Sequence, residues 1–314
     1  MALFNGSTPW EQRFGWLPHE QRSVEVKKEV EGIMSSLPTF EIKGAVEDSA
    51  GKRVVLWDFA TKVLGQHLPT FTQEIGDCVS MGMANCANYL QVVQIALGMN
   101  KTDGTPMDFH PSFQPYIYGV SRVQIGGGRL GGSDGSIGAW AAEGCKKYGI
   151  LRADFTGVPP YSGSVARQWG RSGPPANFLN EAKQFLIQTY SPVMSYEQVR
   201  DALVNGYPVS VASNRGFRMT LQDRGGKLFG VPSGSWAHQM CFIGVDDTGS
   251  NPGCYCMNSW GANAFSPGHK NGEPPGGFWV DPETVTQMCR AEDSFAYSNF
   301  DGFPGQKLDF MLVG

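Results

Sequence analysis

Charge is scarce in this sequence. Charged residues make up 17% of the 314, against about a quarter in ordinary soluble proteins. The formal net charge is −4 and no cluster of Lys or Arg stands out, so the chain offers no electrostatic footprint for nucleic acid. Long apolar runs are missing too. The most apolar stretch, residues 89–97, is interrupted by Gln91 and Gln94 and falls well short of the ~18 residues of a membrane helix. Residues 1–10 have no basic segment leading into an apolar core, so no secretion signal is expected. The seven cysteines are an odd number, which does not suit a secreted disulfide framework and points to reduced thiols in a cytoplasmic setting. The glycine-rich stretch 126–132 has no apolar strand before it and no Lys-Ser/Thr after it, so it reads as a loop and not as a phosphate cradle. Cys254 and Cys256 are one residue apart on one face of a strand, where metal sites use a two-residue gap and a second pair; buried thiols are the expected reading. No metal or cofactor is implied.

What is present divides the chain in two. Its length is enough for one large domain or two lobes around a cleft. Residues 19–37 place Val26, Val30, Ile33, Met34 and Leu37 on one stripe at helical spacing. That helix either packs on its own domain or serves as an inhibitory or partner-binding segment. A short helix is predicted near 54–64. Residues 70–77 form a loop, and a helix apolar or small nearly all round runs from Cys78 to about Leu97, closed by Gly98. Short helices are predicted at 111–120 and 136–148, and Ser195 with Gln198 forms a capping box for another. The pattern then turns to strands at 208–213, 238–245, 254–259 and 277–280, with Leu308, Phe310 and Leu312 alternating in a last one. Asp281-Pro282 opens a short helix. A helical first half and a β second half predict an α+β fold with a cleft between lobes.

Three positions carry the chemistry. Cys78 begins the buried helix, where the positive end of the helix dipole favours a thiolate; a small core residue is the alternative. Of only five histidines, His238 opens an apolar strand, after the turn-like residues 232–236, and would be held as a general base must be. Asn258 ends the following strand, placed to accept from the imidazole and fix its tautomer. Trp260 would cover that hydrogen bond.

Together, Cys at a helix start, His on a strand and Asn258-Ser259-Trp260-Gly261 at the end of the next resemble the papain family of cysteine peptidases. Gln73 ahead of the cysteine fits, since the family uses a Gln there to bind the oxyanion. Further matching stretches lie at 111–118, 134–137, 147–150, 202–209 and 276–280, so the resemblance covers roughly 68–285. Gly135 and Ser136 lie in the loop that, in the family, presents backbone to substrate. The resemblance implies a helical lobe with a central buried helix at about 68–190. An antiparallel, barrel-like β lobe would follow at about 191–314, within a papain-like domain at 51–314 that has residues 1–50 as an extension. It further implies hydrolysis of a protein or peptide substrate through a thiolate–imidazolium pair and an acyl-enzyme.

The departures from the family pattern are local. Gln73 stands one residue closer to Cys78 than usual, Asp77 replaces the usual Ser, and Val79 replaces an aromatic. An insertion at 262–275 borders the expected cleft. Asp77 would cap the helix but oppose thiolate formation. The Gly76-Asp77-Cys78-Val79 string is most similar to papain-fold proteins encoded by tailed bacteriophages. A second reading therefore stays open: a papain-fold structural or binding protein, a virion component, with its partner on the N-terminal extension and little or no activity.

Overall fold

The computed structural model describes residues 13–43, 49–100, 104–269, 271–306 and 308. Local signals in the sequence set several of its helix starts. Ser23 accepts from the Val26 N–H at 3.4 Å and opens the helix Val24–Ser35, which buries Val26 and Val30. Ser195 does the same for Tyr196–Val204, and Asp281 for Pro282–Cys289. The predicted helix at 54–64 is Leu56–Leu64, closed by Gly65 in the left-handed conformation. Those at 111–120 and 136–148 are Gln114–Gly119 and Gly138–Tyr148. The helices Gly163–Ser172 and Ala176–Ala182 were not foreseen, because Gly, Ser and Pro crowd that region. They are held by Trp169, which meets Phe113 edge-on and packs at a tilt on Phe178, at 5.4 and 5.5 Å between ring centres.

The central helix, Cys78–Ala96, is buried along nearly its whole length. It lies against the longest strand, Pro232–Asp246. Gly82 makes this approach close: a Cβ there would sit 3.0 Å from the Met240 carbonyl and 3.1 Å from the Gln239 side chain. Gln239 in turn donates to the Val79 carbonyl at 3.1 Å. This contact brings the helix bearing Cys78 to the strand bearing His238.

Beside a two-stranded sheet that pairs Ile42–Lys43 with Phe303–Pro304, the main sheet among the described residues has nine strands. In spatial order they are Thr189–Pro192, Phe295–Ser298, Val209–Phe217, Pro232–Asp246, Gly253–Met257, Gly277–Val280, Lys227–Phe229 and Gln222–Arg224. Arg53–Val55 pairs with the far end of the long strand. The expected antiparallel, barrel-like lobe is thus an open sheet, and it contains one parallel pairing, Phe229 with Trp279. The long strand also corrects an expectation. Residues 232–236 are not a turn but its beginning, because Val209–Phe217 runs far enough to pair Arg215 with Ser235 and Phe217 with Pro232. Gly216 permits this, since a Cβ there would lie 2.4 Å from the Ser233 carbonyl. His238 is therefore interior to its strand. Of the last predicted strand, Phe310 and Leu312 lie outside the described residues and Leu308 is buried without strand pairing.

One buried cation organises the loops beside the cleft. Arg122, in the π-helical turn Val120–Ile125, donates to the carbonyls of Gly170 at 2.9 Å, Gly131 at 2.9 Å and Ser133 at 2.7 Å, and to that of Gly135. The fork geometry of guanidinium suits such divergent acceptors and an ammonium does not. Arg122→Ala is expected to destabilise the fold by at least about 3 kcal/mol, since it strands several buried carbonyls. Arg122→Lys should recover little of that. Urea unfolding midpoints of the three proteins check both statements.

Candidate active site

Cys78 is the first residue of the central helix and is fully buried. Its sulfur faces the backbone N–H groups of Gln239, Gly15 and Val79, which favour a thiolate. Burial outweighs them and, with the neighbouring Asp77, pushes the thiol up to about 12. Asp77 itself is buried. Its side chain caps nothing in the helix and instead accepts from the Tyr161 hydroxyl at 3.0 Å. Burial raises its pKa to about 8, so at neutral pH Asp77 is mostly protonated and opposes a thiolate less than a full charge would. Holding that proton costs stability that accumulates as pH rises from about 4 to 8, the interval in which the unfolded chain ionises and the fold does not.

His238 and Asn258 come together as their strands pair. The imidazole Nε2–H donates to Asn258 Oδ1 at 2.8 Å, and Oδ1 also accepts from the Ser259 N–H at 2.7 Å. An amide oxygen can only accept, so the proton sits on Nε2 and Nδ1 carries the free lone pair in the neutral ring. Nδ1 has no hydrogen-bond partner among the described residues. Trp260 lies over the imidazole, ring centres 4.7 Å apart, and Trp236 packs on Trp260 at the same separation. Burial lowers the His238 pKa to about 4, with the Asn258 hydrogen bond acting the other way.

The loop before Cys78 is stitched to the Asn258-Ser259-Trp260-Gly261 turn. The Gln73 N–H donates to the Ser259 carbonyl at 2.9 Å, the Gly261 N–H to the Phe71 carbonyl at 2.9 Å, and the Ser259 hydroxyl to Gln73 Oε1 at 2.6 Å. The last bond orients the amide. Its Nε2 donates to the carbonyls of Ile75 at 2.8 Å and Arg13 at 2.7 Å.

Arg13 belongs to a segment that the sequence did not single out. Residues 13–17 run in extended form past the cysteine. The N–H groups of Gly15 and Trp16 donate to the Ala237 carbonyl at 3.2 and 3.1 Å. Gly15 accepts from the Ser136 N–H at 2.7 Å, and Leu17 donates to the Ser136 carbonyl at 2.9 Å. Of the two residues expected to meet an extended chain, Ser136 gives it both backbone groups. Gly135 turns its own groups inward, to the Tyr118 hydroxyl and Arg122. Phe14 meets the edge of His238 at 6.2 Å and the Trp260 ring at 5.9 Å. Trp16 donates its indole N–H to Asp293 at 2.7 Å, and Arg22 pairs with the same buried carboxylate at 2.8 Å. Gly15 passes so close to the loop that a Cβ would lie 1.8 Å from the Gly76 carbonyl oxygen, and a Cβ on Gly76 would lie 2.6 Å from the Phe14 carbonyl oxygen. Two glycines face to face leave just enough room for a backbone to cross. Aromatic-Gly-aromatic at 14–16, directly ahead of the Ser23 helix cap, was the available signal.

No protein-family model matches this chain, and no curated protein matches its sequence. Solved structures do resemble it. Xylellain, a cysteine protease from Xylella fastidiosa, is 14% identical over 92% of this chain and 97% of its own, with a TM-score of 0.57. Procathepsin B S9 from Trypanosoma congolense is 12% identical over 95% and 92%, with a TM-score of 0.58. Digestive procathepsin L2 from the larval midgut of Tenebrio molitor is 16% identical over 92% and 80%, at 0.53. The mixed α+β architecture, the buried central helix against a long strand and these likenesses agree: the chain has the papain-like cysteine protease fold.

Proposed function

We propose that this protein is a cysteine peptidase, held latent by residues 13–17 lying in its own cleft. The observation that carries the reading is that the groove over Cys78 already holds an extended peptide. That peptide is bound through its backbone by Ser136, Ala237 and Gln73. A groove that takes a main chain in this way suits protein or peptide substrates of varied sequence.

Once the segment leaves, Cys78 and His238 regain water. The cysteine pKa then falls and the histidine pKa rises, toward a thiolate–imidazolium pair. The thiolate attacks a peptide carbonyl. The Cys78 N–H at the helix start and the Gln73 Nε2–H now given to Arg13 hold the oxyanion, so the shortened spacing of Gln73 still delivers a donor to the cleft. His238, kept in one tautomer by Asn258, protonates the leaving amine and then activates the water that releases the acyl group.

Labelling by an epoxysuccinyl thiol reagent, followed by peptide mapping, tests the proposal on protein whose N-terminal segment has been trimmed by a serine protease. Selective modification of Cys78 over the other six thiols, lost in His238→Ala, is expected. Modification that ignores Cys78, or that survives His238→Ala undiminished, would overturn the reading.

A further inference from the structure

All seven cysteines are free and buried, and two of them face each other across the contact that builds the site. Cys86 lies on the central helix and Cys241 on the long strand, each fully inaccessible. Their sulfurs are 3.1 Å apart. That is closer than ordinary carbon contacts of about 3.5–4.0 Å, and about 1 Å beyond a bonded pair. A thiol is a weak hydrogen-bond donor, so this approach gains little as a hydrogen bond. The backbones are held near each other by independent means, namely Gly82 against the Met240 carbonyl and Gln239 against Val79. Cys256, by contrast, has its sulfur 3.7 Å from the Met240 thioether, which cannot form such a bond.

We infer that Cys86 and Cys241 form a redox-responsive covalent link between the helix that carries Cys78 and the strand that carries His238, closed by a small-molecule disulfide such as glutathione disulfide. The chemistry balances by two exchanges. One cysteine thiolate attacks a sulfur of the oxidant and expels a glutathione thiolate, leaving a mixed disulfide. The second attacks the protein-side sulfur, forms the Cys86–Cys241 bond and expels the other glutathione. Two protein thiols are oxidised and one glutathione disulfide is reduced to two glutathiones, whose thiolates take up the two protons the protein thiols give up. Because both sulfurs are inaccessible in the closed fold, the first exchange occurs while helix and strand are apart, during folding or opening. The bond then closes a loop spanning a sequence separation of 155 and ties the two elements of the site together whether the cleft is filled or empty. The inference does not depend on the peptidase reading.

The test refolds the full chain from denaturant in an oxidised-glutathione buffer and in dithiothreitol. The oxidised sample should lose about 2 Da, yield a Cys86–Cys241 peptide, and show five free thiols in denaturant where the reduced sample shows seven. Its thermal midpoint should rise by roughly 5–10 °C, and dithiothreitol should reverse the rise. Cys86→Ala and Cys241→Ala should each abolish the mass loss. If refolding fails, prolonged incubation of folded protein in the same buffer gives the same readout. Seven free thiols under oxidising conditions, or a mapped bond between any other pair, overturns the inference.

Discussion

Gly15→Ala is expected to raise the rate at which Cys78 is labelled at neutral pH by at least about 100-fold. The methyl group would have to occupy space 1.8 Å from the Gly76 carbonyl oxygen, so the segment and the loop before the helix cannot both keep their places, and their parting uncovers Cys78. With the thiol at about 12, on the order of one molecule in 10⁵ carries the thiolate at pH 7, whereas a solvated cysteine near its ordinary value of about 8.5 carries a few per cent. That ratio sets the scale of the effect. Truncation after residue 22 should act alike but removes Trp16 and Arg22 from Asp293 as well, so the point variant is the cleaner one. Labelling no faster than in the parent would mean that residues 13–17 do not guard the thiol.

The same contacts predict how the closed state responds to pH. His238 is held neutral, its pKa lowered from an ordinary 6.5 to about 4. An opened site would bind a proton in the interval between those values, so the stability of closure is complete above about 6.5 and declines as pH falls toward 4. At full development the loss is up to about 3 kcal/mol. Cys78 acts in the opposite direction. Its raised pKa makes closure weaken once pH exceeds the ordinary thiol value, because only the opened site ionises there. Closure is therefore firmest between about 6.5 and 8.5. The Gly15→Ala enhancement in labelling should be largest in that interval and shrink toward acid, where the parent also opens. Asp77 responds to pH across the acid side through Tyr161. The variant-to-parent ratio cancels its contribution, since both proteins keep that contact.

What the sequence revealed about the site is what a few adjacent residues encode. Cys78 at a helix start, the Asn258-Ser259-Trp260-Gly261 turn and Gln73 are local patterns, and the caps at Ser195 and Asp281 fixed helix ends for the same reason. The features that escaped are contacts between distant positions. Arg122 looks like any arginine until the carbonyls of Gly131, Ser133, Gly135 and Gly170 surround it. Residues 13–17 have no periodicity, because an extended strand bound on several sides need not alternate; they follow the walls of the cleft, and Trp16 finds Asp293 from the other end of the chain. The amphipathic stripe at 19–37 marks a helix that either packs on its own domain or serves as an inhibitory segment, whereas the segment just ahead of it is the one that meets the cysteine. The turn expected at 232–236 failed on the same ground, since only the length of Val209–Phe217 makes those residues a strand.

In protein opened by Gly15→Ala, Cys78→Ala is expected to reduce peptide hydrolysis to background, a loss of at least about 10⁴-fold in kcat/KM. His238→Ala should cost nearly as much, because nucleophile and base act as one unit and removing either removes both. Asn258→Ala should be milder, about 10²-fold, and confined to kcat. Asn258 touches the imidazole and not the cysteine, so its loss frees the ring to rotate and to exchange tautomers without altering the groove that binds peptide. Asn258→Asp separates orientation from charge. A carboxylate at 2.8 Å from Nε2 would still orient the ring, but it would stabilise the imidazolium and shift the alkaline limb of the pH–rate profile upward. Thermal midpoints of the variants guard against unfolding, and peptide KM guards against a damaged groove. Hydrolysis that survives Cys78→Ala would place the chemistry elsewhere. An Asn258→Ala effect that fell on KM alone would make that residue a wall of the groove and not the keeper of the tautomer.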